Sequence, residues 1–206
     1  MARPPRDKPD PRPPDTHSPS LTPLPLVSRG GLKLAAALDH FGLDVAGLAA
    51  ADLGCSTGGF TDCLLQRGAA HVHSVDTAYG QLAWKLRQDP RVTVLERTNA
   101  VHAPPPAGVA VDLVVVDLGW TKQDRAVPAA LRWLRAGDAG RVVTLIKPHY
   151  ESGRHRLTPD DADAVTARVV AEVLPGLGVR VLGVMRSPIP GGKGGNIEHL
   201  ALLARA

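Results

Sequence analysis

Two short apolar runs constrain the fold of this chain more than any other feature. VDLVVVDL (residues 111–118) and RVVTLIK (residues 141–147) are apolar through most of their length. Such runs are typical of strands in a parallel sheet that is covered on both faces. The surrounding pattern predicts further strands at 50–55, 71–77, 92–98, 179–185 and 197–204 and helices from Ser28 to Phe41 and at 60–67, 82–88, 127–135 and 159–173. Strands that alternate with helices over short loops predict a doubly wound α/β sheet.

The last two predicted strands are joined only by RSPIPGGKGGN, residues 186–196. A loop this short suits an antiparallel pair, because a crossover between parallel strands takes a dozen or more residues. We therefore predict a mostly parallel sheet with one antiparallel strand near its C-terminal end. The first helix is predicted to be capped by the side chain of Ser28.

Proline divides the chain into two parts. Nine of the 19 prolines lie in the first 25 residues, where almost nothing apolar precedes Leu21. Such a segment cannot bury enough surface to offset the entropy it loses on folding. We expect residues 1–27 to form a disordered Pro-rich tail and residues 28–206 to form one domain.

Composition excludes several classes of protein. A net charge of +4 permits a polyanionic partner but does not demand one. No run approaches the roughly 18 to 20 apolar residues of a membrane span, and the N-terminus lacks the apolar core of a secretory signal. Cys55 and Cys63 are too few for a disulfide scaffold or a zinc site. A cytoplasmic protein without membrane association or metal is expected, and the sequence indicates no oligomeric state.

The loop ADLGCSTGGF (residues 51–60) follows a predicted strand and opens a predicted helix. Its glycines at 54, 58 and 59 allow a tight turn and a close approach to a ligand. Three residues separate Gly54 from Gly58, so the spacing differs from the dinucleotide fingerprint, and no phosphate-loop Gly-Lys-Ser/Thr is present. The loop therefore fits a nucleoside-type ligand better than a pyrophosphate.

Polar residues at the following strand ends extend this candidate cofactor site. Asp76 ends the next predicted strand, where a carboxylate can accept both ribose hydroxyls of an adenosine. Asn99 can meet an adenine edge, and Asp52 can meet an amino-acid portion directly or through a water. Together they predict S-adenosylmethionine as cofactor, with the alternative that Gly58 and Gly59 merely begin a helix and Asp76 merely caps one. The candidate cofactor-binding residues are Asp52, Gly54, Ser56, Gly58, Gly59, Phe60, Asp76, Asn99 and Asp117.

Four charged residues are predicted to meet at one sheet edge. Asp117 and Lys147 end parallel strands, at the edge where the active site of an open α/β sheet lies. Glu198 begins the antiparallel strand and so reaches the same edge, while Lys33 lies on the helix before the first strand. The alternatives are a solvated Lys147 and a surface ion pair for Glu198.

These four residues suit alkyl transfer to a hydroxyl. A ribose 2′-hydroxyl is a poor nucleophile at neutral pH and gains from a base as the new bond forms. Lys147 can serve if burial and a second cation, supplied by Lys33, favour its neutral amine. Asp117 and Glu198 would then orient the two amines.

Several segments carry a resemblance to a known family. VSRGGLKL (27–34), ADLGCSTGGFTDCLLQRGAA (51–70), YGQLAWKLRQDPRV (79–92), TLIKPHYES (144–152) and PGGKGGNIEHL (190–200) resemble the FtsJ-like ribose 2′-O-methyltransferases. Their TlyA (hemolysin A) branch, which methylates ribosomal RNA, is the most similar. The resemblance implies a class I, Rossmann-like fold, S-adenosylmethionine as cofactor, and RNA as partner, foremost ribosomal RNA or a ribosomal subunit. The family's Lys-Asp-Lys-Glu tetrad falls on Lys33, Asp117, Lys147 and Glu198.

The chain also departs from that branch. The Pro-rich tail takes the place of the branch's small S4-type RNA-binding domain. Gly119-Trp120 stands where the family tends to have Ser-Phe, and His149-Tyr150 where it tends to have Gln-Phe. Trp120 either stacks on a target base or packs under a loop. An accessory protein that binds cofactor and RNA without turnover, and a methyltransferase for a non-RNA substrate, remain alternatives.

Overall fold

A computed structural model describes residues 25–192 and 195–206, which form one seven-stranded sheet flanked by helices. The strands are β1 (Ala49–Leu53), β2 (His71–Val75), β3 (Val92–Leu95), β4 (Leu113–Val116), β5 (Arg141–Ile146), β6 (Val179–Arg186) and β7 (His199–Arg205). The helices are α1 (Gly30–Phe41), α2 (Gly59–Gln66), α3 (Trp84–Arg87), α4 (Gln123–Trp133), α5 (Pro148–Ser152) and α6 (Pro159–Arg168). Residues 1–24 of the predicted tail lie outside the described residues, so the tail stays a prediction.

The strand order is β3-β2-β1-β4-β5-β7-β6. Strands β1 to β5 pair in parallel, and β7 pairs antiparallel with both of its neighbours, β5 and β6. The predicted α/β class and its single antiparallel strand are therefore confirmed. The order reverses between β1 and β4, and a ligand crevice is expected at the carboxyl ends of such a pair.

Strand β4 shows why the two apolar runs were informative. Leu113 and Val115 pack with the helices α1 and α2 on one face of the sheet, whereas Val114 and Val116 pack with α4 on the other. All four residues are buried. A strand covered on both faces needs apolar side chains at every position, because successive side chains point to opposite faces.

Three helix predictions differ from the structure. Helix α1 begins at Gly30, after an Arg29 N-cap without a side-chain hydrogen bond, so the predicted Ser28 cap is wrong. Helix α4 begins four residues early, because Glu151 accepts a hydrogen bond from the Gln123 N–H at 2.8 Å. The helix predicted at 159–173 is α-helical as far as Arg168, and its last part, Val169–Val173, is a π-helical turn. No helix in the described ranges is long and apolar enough to cross a bilayer.

The first turns of α1 and α2 touch through glycines. A Cβ on Gly31 would lie 2.6 Å from the Gly59 carbonyl oxygen, and a Cβ on Gly59 would lie 2.7 Å from the Gly31 nitrogen and would overlap the Ser28 hydroxyl. Only residues without a side chain permit this approach of two helix backbones. The contact fixes where the segment Ser28–Gly31 sits beside the glycine loop.

We expect Gly59→Ala to lower the free energy of unfolding by about 1–3 kcal/mol, the usual cost of overpacking. Gly176→Ala is the matched control, because a Cβ there has no atom within 4 Å, and its effect should stay within about 0.5 kcal/mol. Urea denaturation of both variants measures the difference. Equal stability of the two variants would contradict the proposed helix contact.

Candidate active site

The glycine loop turns sharply between β1 and α2. Gly54 has φ +92°, and a Cβ there would come within 2.5 Å of the Asp117 carbonyl oxygen at the end of β4. Gly58 has φ +97° and packs against Leu82 and Leu86. The backbone conformation of these two glycines confirms the predicted tight turn, and their close contacts are with other parts of the protein.

Three clefts meet beside this loop. The first cleft, of about 750 Å³, includes Gly54, Ser56, Asp76, Asn99 and Asp117 in its lining. The second, of about 670 Å³, includes Lys33, Asp117, Lys147 and Glu198. The third, of about 300 Å³, includes Arg29, Lys33, Gly54, Ser56, Gly59, Phe60 and Asp117. Asp117 thus lies where all three clefts join.

Asp76 holds the glycine loop while facing the first cleft. One carboxylate oxygen accepts a hydrogen bond from the Ser56 N–H and the other from the Ala78 N–H, each at 2.8 Å. Each oxygen keeps a further lone pair, so the carboxylate can still accept from ribose hydroxyls. Asn99 lines the same cleft, and its side-chain oxygen accepts from the Val101 N–H at 3.0 Å. These residues fit the adenosine portion of the expected cofactor.

Asp52 lies beneath the loop and lines none of the three clefts. It is fully buried, and one carboxylate oxygen accepts hydrogen bonds from the Thr61 N–H at 2.9 Å and the Thr61 hydroxyl at 2.7 Å. Burial raises the pKa of Asp52 to about 7, against the lowering effect of the Thr61 hydrogen bonds. Within the described residues the other oxygen, Oδ1, is buried and has no hydrogen-bond partner, so Asp52 supports the loop through one oxygen and its contact with an amino-acid portion, directly or through a water, stays a prediction.

The four charged residues of the predicted tetrad come together as two ion pairs at the second cleft. Lys33 Nζ lies 2.5 Å from Glu198 Oε2, with both side chains buried. Lys147 Nζ lies 2.5 Å from Asp117 Oδ1 and also donates to the Leu118 carbonyl at 3.1 Å. The surface alternatives for Lys147 and Glu198 are not what the structure shows, because their side chains are 11% and 4% exposed.

Gly191 shapes the position of Glu198. A Cβ on Gly191 would lie 2.9 Å from the Glu198 carboxyl carbon, so a side chain there would displace the Glu198 carboxylate. The Gly191 N–H donates to the Asn196 carbonyl at 2.8 Å, which closes the loop before β7. Sequence reasoning missed this residue. Its signal was the glycine-rich run directly ahead of Glu198.

Two aromatic residues in the lining of the second cleft stack on each other. The ring centroids of Trp120 and Tyr150 are 5.1 Å apart, and the planes differ by 29°. Trp120 is 83% exposed. Its backbone φ is +57°, a value that residues other than glycine rarely adopt. It does not pack under a loop. Tyr150, which sequence reasoning did not single out as a site residue, also lies 5.7 Å from Lys147 Nζ.

Comparisons with known proteins identify the family and similar proteins. Residues 26–201 match the family of FtsJ-like methyltransferases. The 16S/23S rRNA (cytidine-2′-O)-methyltransferase TlyA of Mycobacterium tuberculosis is 46% identical over 187 residues, which cover 86% of this chain and 68% of that protein. The proposed rRNA methyltransferase YqxC of Bacillus subtilis is 41% identical over 192 residues, covering 86% of this chain and 65% of its own.

Solved structures show the same architecture. A proposed hemolysin from Lactococcus lactis superposes with a TM-score of 0.81 at 37% identity, covering 89% of this chain and 90% of that one. An S-adenosylmethionine-dependent methyltransferase from Listeria monocytogenes has a TM-score of 0.61 at 16% identity, covering 87% and 100%, and this likeness concerns the fold alone.

Between pH 5 and pH 8, we expect the free energy of unfolding of the unaltered protein to fall more steeply with pH than that of the Asp52→Asn variant. The pKa of Asp52, about 7, lies above the usual carboxyl value of 3.8. The folded state therefore binds the proton more tightly than the unfolded chain, and the contribution of this group to stability is lost as pH rises towards 7. Urea denaturation should show a difference in slope worth about 3 kcal/mol over this range. Parallel pH profiles would show that Asp52 does not titrate there.

Proposed function

This chain belongs to the FtsJ-like methyltransferase family and is an S-adenosylmethionine-dependent methyltransferase, and from this premise we propose that it methylates a ribose 2′-hydroxyl of ribosomal RNA. The observation that carries the proposal is the pair of ion pairs, Lys33–Glu198 and Lys147–Asp117, in one open cleft. The names of the similar proteins TlyA and YqxC support the RNA substrate.

The first cleft supplies the groups that an adenosine needs. Asp76 would hold the ribose hydroxyls and Asn99 the adenine edge. When bound, S-adenosylmethionine supplies an electrophilic methyl group on a sulfonium. Asp117 borders both the first and the second cleft, so an acceptor in the second cleft would adjoin the cofactor at this residue.

Lys147 would take the proton of the acceptor hydroxyl. Once it has lost its own proton, the amine would accept this one as the C–O bond to the methyl group forms and the bond from that methyl group to sulfur breaks, which spares the acceptor a positively charged oxygen. Asp117, 2.5 Å away, holds the amine and stabilises the ammonium that results. Lys33 adds a fixed positive charge that Glu198 keeps in place. The four residues thereby share positioning and proton uptake.

The rim of the second cleft suits RNA. Lys122, Arg154 and His155 join Trp120 and Tyr150 in its lining. Cationic side chains attract phosphates, and an exposed ring offers a stacking surface to an unpaired base. With ribosomal RNA as substrate, free or within a ribosomal subunit, the enzyme would act in the cytoplasm.

We expect Lys147→Ala to lower methyl transfer to ribosomal RNA by about 100-fold or more, since a positioned base contributes at least that factor. Cofactor binding should persist, because Lys147 lines only the second of the three clefts. Radiolabelled cofactor, incubated with ribosomal subunits and with naked ribosomal RNA, measures the transfer. Arg180→Ala is the control, since Arg180 lies on β6 and lines none of the three clefts. Undiminished labelling by Lys147→Ala would exclude this role.

We expect Trp120→Ala to lower kcat/KM for RNA by about tenfold, mainly through KM, because stacking of one base contributes about 1–3 kcal/mol. Trp120→Phe should keep most of the activity. Trp84→Ala serves as control, as Trp84 is 73% exposed but lines none of the three clefts. Steady-state kinetics with varied RNA tests this. If Trp120→Ala and Trp84→Ala behave alike, the stacking role is wrong.

A further inference from the structure

His199 is a buried polar residue that lies directly beside Glu198 but outside the two ion pairs. Its side chain is 7% exposed. It is the first residue of β7, and Glu198 precedes that strand. Successive side chains of an extended chain point to opposite faces of a sheet. Glu198 accordingly reaches Lys33 on α1, whereas His199 reaches α6 on the other face.

Both ring nitrogens of His199 contact side chains of α6. Nε2 donates to Asp163 Oδ1 at 2.9 Å, since a carboxylate can only accept. Burial lowers the pKa of His199, although Asp163 opposes this effect, so the ring is neutral at pH 7. A neutral ring that donates through Nε2 accepts through Nδ1, which lies 2.9 Å from the Thr166 hydroxyl oxygen. With both nitrogens bound, the imidazole has one orientation, and α6 determines where β7 begins.

The position of His199 in the sheet places it next to two members of the tetrad. It forms the last pair of the ladder between β5 and β7, with Ile146 as its partner. The residues directly beyond this pair are Lys147 after β5 and Glu198 before β7. A displacement of His199 would therefore move the Glu198 carboxylate relative to Lys33 and Lys147.

Helix α6 is also tied to the wall of the second cleft. Residues 153–155 line that cleft and lie shortly before the N-cap of α6 at Thr158. Arg154 from this segment pairs with Asp161 in the first turn of α6 at 3.4 Å. The helix that holds His199 thus holds part of the acceptor cleft as well.

We propose that His199 is a positioning residue for methyl transfer, whose hydrogen bonds to Thr166 and Asp163 hold the Glu198 carboxylate at Lys33. This inference rests on the proposed function, because it concerns the same tetrad. His199 lines none of the three clefts, so it acts through Glu198. A misplacement of about 1 Å at a reacting centre can lower the rate by about 100-fold.

Steady-state methylation kinetics with ribosomal RNA test this role. We expect His199→Leu to lower kcat by about tenfold to 100-fold. The KM values for cofactor and RNA should stay near those of the unaltered protein, because no cleft loses a lining residue. His199→Gln should restore part of kcat, since its amide can still donate to Asp163.

Two carboxylates of α6 provide a second variant and its matched control. Asp163→Ala removes the partner of Nε2, and the fold should tolerate this change because the Asp163 side chain is half exposed. We expect kcat to fall by about threefold to tenfold, the equivalent of one hydrogen bond. Asp160→Ala removes an exposed carboxylate from the first turn of the same helix and should leave kcat unchanged.

Nuclear magnetic resonance of the lysine ammonium groups tests the position of Glu198 without RNA. An ammonium that a buried carboxylate holds exchanges its protons with water slowly. The Lys33 Nζ signal should therefore be sharp in the unaltered protein and in Asp160→Ala, and it should broaden or disappear in His199→Leu and weaken in Asp163→Ala.

Unchanged kcat and an unchanged Lys33 signal in folded His199→Leu would overturn the proposal, as would a rise in the KM for RNA alone. Urea denaturation shows whether this variant is folded, and if it is not, Asp163→Ala against Asp160→Ala decides by the same two measurements. A failure of the unaltered protein to methylate RNA, with a Lys33 signal that still depends on His199, would refute the proposed substrate and leave the positioning of Glu198 intact.

Discussion

The buried ammonium of Lys33 needs a carboxylate beside it, because an unpaired charge in a protein interior is strongly destabilising. Glu198, 165 residues away along the chain, supplies that carboxylate at 2.5 Å. This pairing requires β7 to run antiparallel beside β5, so that its first residues reach the edge where β4 and β5 end. Gly191 leaves room for this carboxylate, which a side chain at that position would displace. The antiparallel placement of β7 is therefore what brings Glu198 into the site.

Asp117 organises the reaction around this edge. It ends β4, pairs with Lys147 and borders all three clefts. Below it, Thr61 donates to Asp52 at 2.7 Å and contacts Ser74 at 2.8 Å, which ties the glycine loop to β1 and β2. Above it, the clefts stay open. The hydrogen bonds below Asp117 hold the glycine loop in place. Above it lie the first cleft, for the cofactor, and the second cleft, for the acceptor, with Trp120 and Tyr150 in its lining.

The sequence predicted the features that depend on local pattern or on general rules of sheet topology. The buried run at β4, the short loop before β7 and the convergence of Asp117, Lys147 and Glu198 all followed from them. Features that depend on contacts between distant segments were missed. The pattern does not show that Asp52 accepts hydrogen bonds from Thr61 on α2, and the early start of α4 depends on Glu151 from another helix. The position of β7 between β5 and β6 likewise has no signal in the spacing.

The central claim is that the two ion pairs serve methyl transfer to a ribose oxygen. Tandem mass spectrometry of nucleosides from ribosomal RNA treated with the enzyme tests it most directly, because fragmentation separates the base from the sugar. The account predicts a new methylated nucleoside that releases an unmodified base and keeps the methyl group on the ribose. A methylated base fragment, with no methylated ribose, would contradict it.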